Sequence, residues 1–395
     1  MHGSSSAARI ERTDAASKER MSLELHVLRS IHDVPEAEWD ALLRPESSPF
    51  LSHAWLSCLE DAGCVGARKG WLPFHLALRR GGALVAAAPC WVKGSSEGEF
   101  VFDWSWADFA ERAGVPYYPK LLVAVPFTPA TGDRVLVRAG ENRAALVAAV
   151  ADALRTLTER TDTSGVHALF PREPEVSAWI DAGYMHRLGV QYHWRNRGYR
   201  DMADFLSTFN AKRRHALRRE MAQPERDGVV VETVPPDAID AETTAAMYRF
   251  YLSTVDKFTW GRRYLNARFF DLVVERFRPR LRWVLAKKDG RPIAGAFNVQ
   301  DGDRLYGRYW GADVEMPFLH FNVCYYHGIA HCIREGLSVF EPGAGGEHKR
   351  PRGFAPTLTH SAHWLRSAKL RAPIEAFLAR ERDAVRRHVE EETGP

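Results

Sequence analysis

A glycine-rich loop at residues 341–354 carries two carboxylates, one histidine and three cations. Glycine lets a backbone approach a ligand closely, and the planar guanidinium of arginine suits phosphate or carboxylate. A base beside cations suits chemistry in which a proton is removed from a substrate while an anionic group is held. We predict Glu347 or His348 as the base and Glu341 as a substrate-binding residue. The cations predicted to hold the anionic group are Lys349, Arg350 and Arg352. A solvated charged loop is the alternative interpretation.

Aromatic residues and two arginines occupy the predicted strand at residues 304–310, upstream of this loop. Alternation of side chains along a strand predicts Tyr306, Arg308 and Trp310 on one face and Tyr309 on the other. An arginine between aromatic rings can form a ligand wall, so we count all four as candidate substrate-binding residues. A packed aromatic face with an arginine reaching to solvent is the alternative.

The predicted helix at residues 318–336 adds further reactive side chains. We predict a catalytic role for His320 at its start and substrate-binding roles for Asn322, Tyr325 and, after the loop, His360. Imidazole and thiolate four residues apart could hold zinc, but such a stripe is more often core packing, so we predict no metal site. The stripe consists of His320, Cys324, His327 and His331.

A basic run at residues 212–219 places five cations and a histidine on a predicted helix. Such a patch could neutralise phosphates without sequence specificity, and its binding would depend on salt. A tRNA is therefore a candidate partner, and a solvated helix is the alternative. The candidate nucleic-acid-binding residues are Lys212, Arg213, Arg214 and Arg218.

The composition indicates a globular protein, with 45% hydrophobic and 26% charged residues among 395, enough for two domains. A formal net charge of +4 does not by itself indicate nucleic-acid binding. Five cysteines form no CxxC pair, so we predict reduced thiols in a cytoplasmic protein. Apolar stretches such as Ala83–Val92 are far shorter than the ~20 residues of a membrane helix, so we predict no membrane span. The sequence gives no indication of the oligomeric state.

The two halves of the chain repeat one order of elements: strand, two helices, three antiparallel strands and a further strand. Leu76–Trp91 and Val284–Val299 also share the register of a hairpin, and Asp289-Gly290 supplies the turn of the second. A further strand is predicted over Glu99–Trp104. We infer two copies of one α/β (α+β) domain, with mixed and mostly antiparallel sheets.

The predicted organisation has five parts. They are a disordered tail (1–22), an N-terminal domain (23–200), a basic helical connector (201–226), a C-terminal domain with the main site (227–371) and a charged C-terminal helix (372–395).

This order of elements resembles the GNAT acyltransferase fold, and two such domains in one chain resemble the Fem-type peptidyltransferases. The string LYGRYWGADVEMPFLHFNVCYYHGIAHCIREGLSVFEPGAGGEHKRPRGFAPTLTHSAHW, at residues 305–364, resembles the FemAB-like proteins of bacteria in particular. The resemblance extends over nearly all of residues 24–370.

The resemblance implies two tandem GNAT-like domains and an N-acyltransferase that moves an acyl or aminoacyl group to a small-molecule or peptide amine. GNAT folds hold the reacting carbonyl near a splayed strand end and the carrier at the following helix N-terminus, here near Phe318–Phe321. Acyl-CoA or aminoacyl-tRNA is the implied co-substrate, with no tightly bound cofactor. The simple acetyl-CoA signature is absent, which leaves room for aminoacyl-tRNA.

Two positions depart from the family pattern. Asn322 stands where an acidic residue is usual, and Gly345 stands where a glutamine is usual. If the acidic residue were the base, its replacement would favour a non-catalytic protein that binds an anionic ligand. A tRNA-binding module is the other alternative.

Overall fold

The computed structural model describes Ala8–Arg9, residues 22–257 and residues 262–393. The predicted tail at residues 1–22 lies outside the described residues, except for Ser22 and for Ala8–Arg9, which form a short strand. The chain divides into two compact units. We call N-terminal unit the described residues up to Gly189 with Leu358–His388, and C-terminal unit Val190–Thr357 with the described residues from Val389.

The N-terminal unit begins with nine strands and five helices. The strands are β1 (Ala8–Arg9), β2 (Leu23–Leu28), β3 (Trp71–Pro73), β4 (His75–Arg80), β5 (Ala83–Ala88), β6 (Cys90–Lys93), β7 (Lys120–Val123), β8 (Leu136–Val137) and β9 (Gly165–Leu169). The helices are α1 (Glu36–Asp40), α2 (His53–Asp61), α3 (Trp104–Arg112), α4 (Arg143–Arg160) and α5 (Glu173–Asp181).

The later elements follow in chain order. They are β10 (Met185–Arg195), α6 (Met202–Ser207), α7 (Ala211–Arg226), β11 (Val229–Thr233), α8 (Ala241–Val255), α9 (Ala267–Phe277), β12 (Val284–Lys288), β13 (Arg291–Asp301), β14 (Arg304–Ala312), α10 (Leu319–Phe321), a π-helical turn (Asn322–Tyr326), α11 (His327–Arg334), β15 (Val339–Glu341), β16 (Ala355–Leu365) and α12 (Ala368–Thr393).

In the N-terminal unit, strands β2, β4, β5 and β8 pair antiparallel. A second group runs β3-β6-β7-β9-β16, in which β7 and β9 are parallel. Leu146, Val150 and Leu154 recur along α4 at helical spacing and pack with Val166 of β9 in the core. The expected strand at 99–104 is wrong, because 99–103 bends and α3 starts at Trp104.

In the C-terminal unit, β11 to β14 form an antiparallel sheet that β15 extends in parallel and β10 then joins antiparallel. Asp289 and Gly290 turn the β12–β13 hairpin with positive φ angles of 50 and 75, as the Asp-Gly signal predicts. Gly295 packs against Phe250 of α8, whereas Ala294 and Ala296 pack with α10 and the π turn. Helices therefore cover both faces of this sheet.

The structure divides the chain at other points than the predicted domain boundaries. The division falls within β10 and within β16, whose Ser361–Leu365 pairs with β9 of the N-terminal unit. Residues 201–226 form no separate connector, because Phe205 and Leu217 pack in the C-terminal core. Most of α12 belongs to the N-terminal unit, where Leu370 and Leu378 are buried. A strand returning to an earlier unit leaves no signal in linear sequence.

Candidate active site

The parallel strands β14 and β15 part after a short stretch of pairing in the C-terminal unit. Their register ends at Tyr306 opposite Glu341, after three residue pairs. Strand β14 continues to Ala312, whereas the chain after Glu341 turns into the glycine-rich loop. This is a strand junction of the kind that the GNAT resemblance implies.

Side chains of α8 occupy hydrogen-bonding groups along β14 beyond this junction. Thr254 Oγ1 donates to the Trp310 carbonyl at 2.7 Å, and the Ala312 amide donates to Ser253 Oγ at 3.1 Å. An extended ligand that added to this edge as a strand would need the same backbone groups. The far end of β14 is therefore already bonded within the protein.

A β-bulge interrupts the side-chain alternation of β14. The register with β13 slips by one residue at Arg308. Leu305 packs with the core beneath α11, and Trp310 packs with the core beneath α10, so both point to the same side. Their separation of five residues is odd, which regular alternation forbids. The prediction that Tyr306, Arg308 and Trp310 share one face is therefore wrong for Tyr306 and Trp310.

Tyr309 packs on the face opposite Trp310. Its ring makes edge contacts with Tyr251 at 5.2 Å and with Phe297 at 5.9 Å between centroids. The Arg308 guanidinium lies 5.3 Å from the Tyr309 centroid. Tyr309 is thus part of the aromatic packing against α8.

The helical segment after β14 begins with a backbone conformation that a bulky residue rarely adopts. Phe318 has a φ of 63, in the left-handed region, and no side chain caps the helix that follows. Residues held in such conformations cluster at ligand sites and switches. The ring of His320, two residues later, lies 4.3 Å from that of Trp310, so strand and helix meet there.

The π-helical turn directs two consecutive tyrosines to different partners. Tyr325 Oη lies 2.9 Å from His348 Nε2 in the glycine-rich loop. Tyr326 Oη donates a hydrogen bond to Glu220 on α7. Single π turns within α-helices are frequent at functional sites. The turn thus anchors the loop and a distant helix at adjacent residues.

His348 lies close over the backbone of its own loop and remains solvent-exposed. Gly346 has a φ of 93, and a Cβ there would come within 2.6 Å of the imidazole. Glycine at this position therefore provides both the backbone angle and the space for the ring. The ring centroid lies 5.9 Å from those of His320 and Phe321. The structure thus brings His320, Tyr325 and His348 into one cluster.

The electrostatic surroundings keep both imidazoles of this cluster neutral at pH 7. Burial lowers the pKa of His320 to about 4, with His348 and Lys349 acting in the same direction. Partial burial, followed by the charges of Lys349 and Arg352, lowers the pKa of His348 below its usual value. Burial raises the pKa of Tyr325, so its hydroxyl remains protonated. The cluster therefore offers a neutral imidazole beside a protonated phenol.

Two of the three loop cations point inward and stabilise the loop. Lys349 is 2% exposed, and its Nζ donates to the carbonyl oxygens of Gly343 at 2.7 Å and Ala344 at 3.3 Å. Burial lowers the pKa of Lys349 to about 8. Arg352 is 6% exposed and forms an ion pair with Glu220, with Nη2 at 2.8 Å from Oε2. Their predicted role as anion ligands is replaced by a role in shaping the loop, because both have internal partners.

Arg350 is the exposed cation of the three. Its Nη1 lies 3.8 Å from Glu392 Oε1 near the end of α12. An exposed ion pair at this distance is weak. Arg350 Nη2 also donates to the backbone carbonyl of Glu392 at 3.3 Å.

Glu341 is buried beside Tyr306 on the neighbouring strand. Its Oε1 lies 3.0 Å from Arg304 Nη1, and its Oε2 lies 4.0 Å from His193 Nε2. Burial and the charge of Glu341 raise the pKa of Tyr306 well above its usual value. These contacts give Glu341 and Tyr306 internal partners at the point where β14 and β15 part.

The chain is similar to known proteins. A family model described as peptidoglycan biosynthesis/recognition, FemAB-like, matches residues 30–394. The chain belongs to the FemAB-like family. Membership confirms the predicted resemblance and the predicted class of enzyme, one that transfers acyl or aminoacyl groups.

Solved structures share the fold. The crystal structure of FemX is 13% identical, with 87% of this chain and 98% of that chain covered and a TM-score of 0.52. L-PGS from Bacillus licheniformis is 11% identical, with 85% of this chain and 98% of that chain covered and a TM-score of 0.51. The predicted mixed α/β fold class is confirmed. No curated protein matches the sequence.

Two predicted residues of this FemAB-like protein lie apart from the cluster. Glu347 is exposed, and its carboxylate forms no hydrogen bond or ion pair with the described residues. His360 belongs to the N-terminal unit, where its ring stacks on His186 and its Nδ1 lies 3.1 Å from His186 Nε2. The return of β16 to the N-terminal unit, which sequence order does not reveal, explains the second placement.

Asn322 has a structural role in this FemAB-like chain. Its side-chain amide donates to the carbonyl oxygens of Glu220 at 2.9 Å and Phe318 at 3.0 Å. A carboxylate would place its oxygens against two carbonyl oxygens, so this position needs a donor. The departure from an acidic residue therefore does not remove a base from the His320–Tyr325–His348 cluster.

The basic run forms the first half of α7, and its side chains divide into two groups. Arg213 Nε donates to the Pro351 carbonyl at 2.7 Å, and Arg214 Nη1 donates to the Ser207 carbonyl at 3.3 Å. Lys212 and Arg218 are exposed, as is the neighbouring Arg219.

The histidine stripe has separate hydrogen-bond partners along the helix. His327 Nε2 lies 2.8 Å from Thr233 Oγ1, and His331 Nε2 lies 2.8 Å from Gln300 Oε1. Among the described residues, no group of three His, Cys, Asp or Glu side chains could hold a metal ion. Within the same residues, no helix has the length and apolar character needed to cross a bilayer.

Sequence reasoning missed Glu220, which contacts three elements of the site. It lies beside the basic run, on a helix for which tRNA binding or solvation was expected, and its partners Tyr326 and Arg352 are more than 100 residues away in sequence. Its one signal was a lone acid at the end of the basic run.

Proposed function

We propose that this FemAB-like protein transfers an aminoacyl or acyl group from an activated carrier to an amine, with His348 as the base. The observation that carries the proposal is the 2.9 Å contact between Tyr325 Oη and His348 Nε2 on an exposed loop beside the β14–β15 junction. An imidazole that acts as a general base must be neutral at working pH and reachable by the substrate. His348 meets both conditions, and Glu347 lacks a comparable partner.

The proposed proton path uses both ends of the imidazole. His348 Nε2–H donates to Tyr325 Oη, which leaves Nδ1 to accept the proton of the attacking amine. The new C–N bond forms as the C–O bond of an ester, or the C–S bond of a thioester, breaks. The Tyr325 hydroxyl donates a proton to the departing oxygen or sulfur, and His348 returns its proton to Tyr325. These steps leave the ring as the Nδ1–H tautomer, and proton exchange of the exposed imidazole with water restores the Nε2–H form, so charge and protons balance over the cycle.

Aminoacyl-tRNA is the proposed donor, and acyl-CoA is the other arm of the test. An extended carrier arm could pair with β14 only by displacing Thr254 and Ser253 from the groups they bind. The exposed cations Lys212 and Arg218 lie on the helix that contacts the loop through Arg213, which suits a polyanion held near the cluster. The proposed acceptor is a peptide or small molecule with a free amine.

Replacement of the two candidate bases tests the proposal directly. We expect His348→Ala to lower the transfer rate ~10²–10⁴-fold, the usual contribution of a general base. Glu347→Ala should retain far more activity, because that carboxylate has no partner in the cluster. Purified protein would be incubated separately with charged tRNA and with acyl-CoAs, and formation of the amide product would be measured.

A matched control is His32→Ala, which removes a half-exposed histidine of the N-terminal unit. A wild-type protein that consumes neither donor would sink the enzyme proposal. If Glu347→Ala loses activity and His348→Ala does not, the base is Glu347.

A further inference from the structure

Helix α7 presents different chemistry on its two sides. Its exposed side carries Lys212, Arg218 and Arg219, whereas Glu220 is 6% exposed and points inward. Burying a carboxylate is costly unless cations and hydrogen-bond donors surround it. Glu220 has such surroundings, and they connect it to the proposed catalytic loop.

Glu220 receives donors from the π turn, from the loop and from its own helix. The Tyr326 hydroxyl donates to Oε2, and Arg352 donates to the same oxygen from Nε at 3.1 Å and Nη2 at 2.8 Å. On the other side, Arg213 Nη1 lies 3.5 Å from Oε1. The backbone carbonyl of Glu220 also accepts from the Asn322 side chain. One buried acid thus joins three segments of the C-terminal unit.

Arg352 transmits this anchoring to His348. Its Nη1 donates to the His348 carbonyl at 2.6 Å, while its guanidinium lies 3.3 Å from the centroid of the Phe321 ring. The planar fork of arginine allows Nε and Nη2 to face Glu220 while Nη1 faces the loop backbone. Lysine could not make these contacts together, because its three N–H donors all lie on one nitrogen atom. The His348 backbone is thereby fixed relative to the π turn that carries Tyr325.

We propose that Glu220 and Arg352 form a positioning pair, which holds the His348 backbone so that its imidazole meets the Tyr325 hydroxyl in one orientation. The catalytic consequence rests on the proposed function of His348. The structural part does not, because the orientation of the ring can be measured without substrate. Neither residue touches the reacting atoms, so both act through His348.

The pair explains how an exposed loop with three left-handed glycines keeps a reactive side chain in place. Gly343, Gly345 and Gly346 have φ angles of 90, 71 and 93, so this backbone has little conformational restriction of its own. A misplacement of about 1 Å in a catalytic group can cost ~10²-fold in rate. Tyr325 and Lys349 anchor other parts of the loop, and Glu220 with Arg352 anchors it at the His348 carbonyl itself.

The first experiment measures the tautomer of His348 by nitrogen-15 NMR in the full-length protein. In the wild type we expect one tautomer to dominate at neutral pH, because the contact with Tyr325 Oη gives Nε2 a single hydrogen-bonding role. In Glu220→Gln and in Arg352→Lys we expect a mixture of both tautomers. Glu225→Gln is the matched control, since it makes the same substitution at an exposed position on the same helix.

A second variant covers the outcome in which Glu220→Gln does not fold. Tyr326→Phe removes one donor to Glu220 with little change in volume, and we expect it to shift the tautomer ratio in the same direction by a smaller amount. Wild-type ratios in folded Glu220→Gln, or in both Arg352→Lys and Tyr326→Phe, would overturn the proposal.

Kinetics then separate positioning from general destabilisation. We expect Glu220→Gln to lower kcat ~10²-fold with KM for the donor unchanged, because only the reactive geometry is lost. A rise in KM with unchanged kcat would overturn the proposal, since it would place Glu220 in donor binding. If the wild type transfers nothing while the variants still mix tautomers, the proposed function fails and the positioning pair stands.

Discussion

Each unit contains a parallel strand pair at the same point in its order of elements, β7 and β9 in the N-terminal unit and β14 and β15 in the C-terminal unit. The gap beside each pair is filled differently in the two units. In the N-terminal unit, the chain leaves β7 after Val123, folds into residues 124–135 and returns as β8. That segment is almost wholly buried, and the Gly132 amide donates to the Phe170 carbonyl at 3.1 Å beyond the end of β9. In the C-terminal unit, two side chains of α8 bond to β14 instead.

This difference indicates how a duplicated fold can divide its work. In the N-terminal unit, the gap is filled by the backbone of residues 124–135 and by the buried Arg134. It has therefore become part of the core. A gap bordered by side-chain hydrogen bonds is easier to open than a buried one, although a ligand must still displace Thr254 and Ser253 from β14. The difference agrees with the proposed placement of the reaction in the C-terminal unit.

The ionisable groups of the two units show a similar difference, between a buried cluster in the N-terminal unit and an exposed histidine in the C-terminal unit. In the N-terminal unit, Lys120 Nζ is fully buried and donates to Asp103 at 2.6 Å and Glu99 at 2.9 Å. In the C-terminal unit, the exposed His348 meets the buried Tyr325. A buried cluster of paired charges supports a structure, whereas a titratable group at the surface can meet a substrate.

The largest expected effect comes from removing the arginine that closes the N-terminal gap. The Arg134 guanidinium donates to the carbonyl oxygens of Ala130 at 2.7 Å, Asp133 at 3.1 Å and Leu169. Arg134→Ala leaves these buried acceptors without that donor, so we expect a loss of about 3 kcal/mol or more in stability. Hydrogen exchange of peptides from β7 to β9, measured against urea, would report it. Arg138→Ala, four residues on, should change stability by less than about 0.5 kcal/mol.

Local signals in the sequence predicted much of the fold. The Asp289-Gly290 turn was predicted where the structure has it, because a hairpin turn depends on a few neighbouring residues. The loop that carries His348 was predicted as the main site, and its catalytic role stays a prediction. The π-turn contact with Tyr325 adds geometry that composition could not provide.

Long-range and irregular features could not be predicted. The Glu220–Arg352 pair joins residues 132 positions apart, and no local pattern encodes such a contact. The bulge at Arg308 reverses the side-chain faces without any glycine or proline at that residue. The strand expected at 99–104 does not form. Glu99 instead accepts a hydrogen bond from the buried Lys120, which lies 21 residues away in sequence.

The second largest expected effect is a change in the stability of the N-terminal unit with pH. Burial raises the pKa of Glu99 from 4.5 to about 7 in the folded protein. The folded state therefore keeps a proton that the unfolded chain releases between pH 4.5 and 7, so this group's stabilisation falls as pH rises through that window. The slope should approach about 1.4 kcal/mol per pH unit. Stability of the wild type minus that of Glu99→Gln, measured from pH 5 to 7 by urea unfolding, isolates it.

His167 changes stability in the opposite direction over this range, since burial lowers its pKa to about 3. The difference between wild type and Glu99→Gln cancels that contribution, because His167 is present in both. Glu111→Gln replaces an exposed glutamate of α3 and should leave the slope as in the wild type. A difference that rises with pH would contradict the burial of an uncharged Glu99.

The smallest effect tests the C-terminal side of the comparison. Thr254→Val keeps the shape of the side chain and removes its 2.7 Å hydrogen bond to the Trp310 carbonyl. Thr254 and Trp310 are both partly exposed, so water can replace the lost donor, and we expect a cost of about 1 kcal/mol. Thr243→Val in the first turn of α8 is the matched control and should cost less. If Thr254→Val destabilises its unit as strongly as Arg134→Ala destabilises the other, the two gaps are equally closed. The β14 edge would then be no easier to open than its N-terminal counterpart, and the comparison would fail.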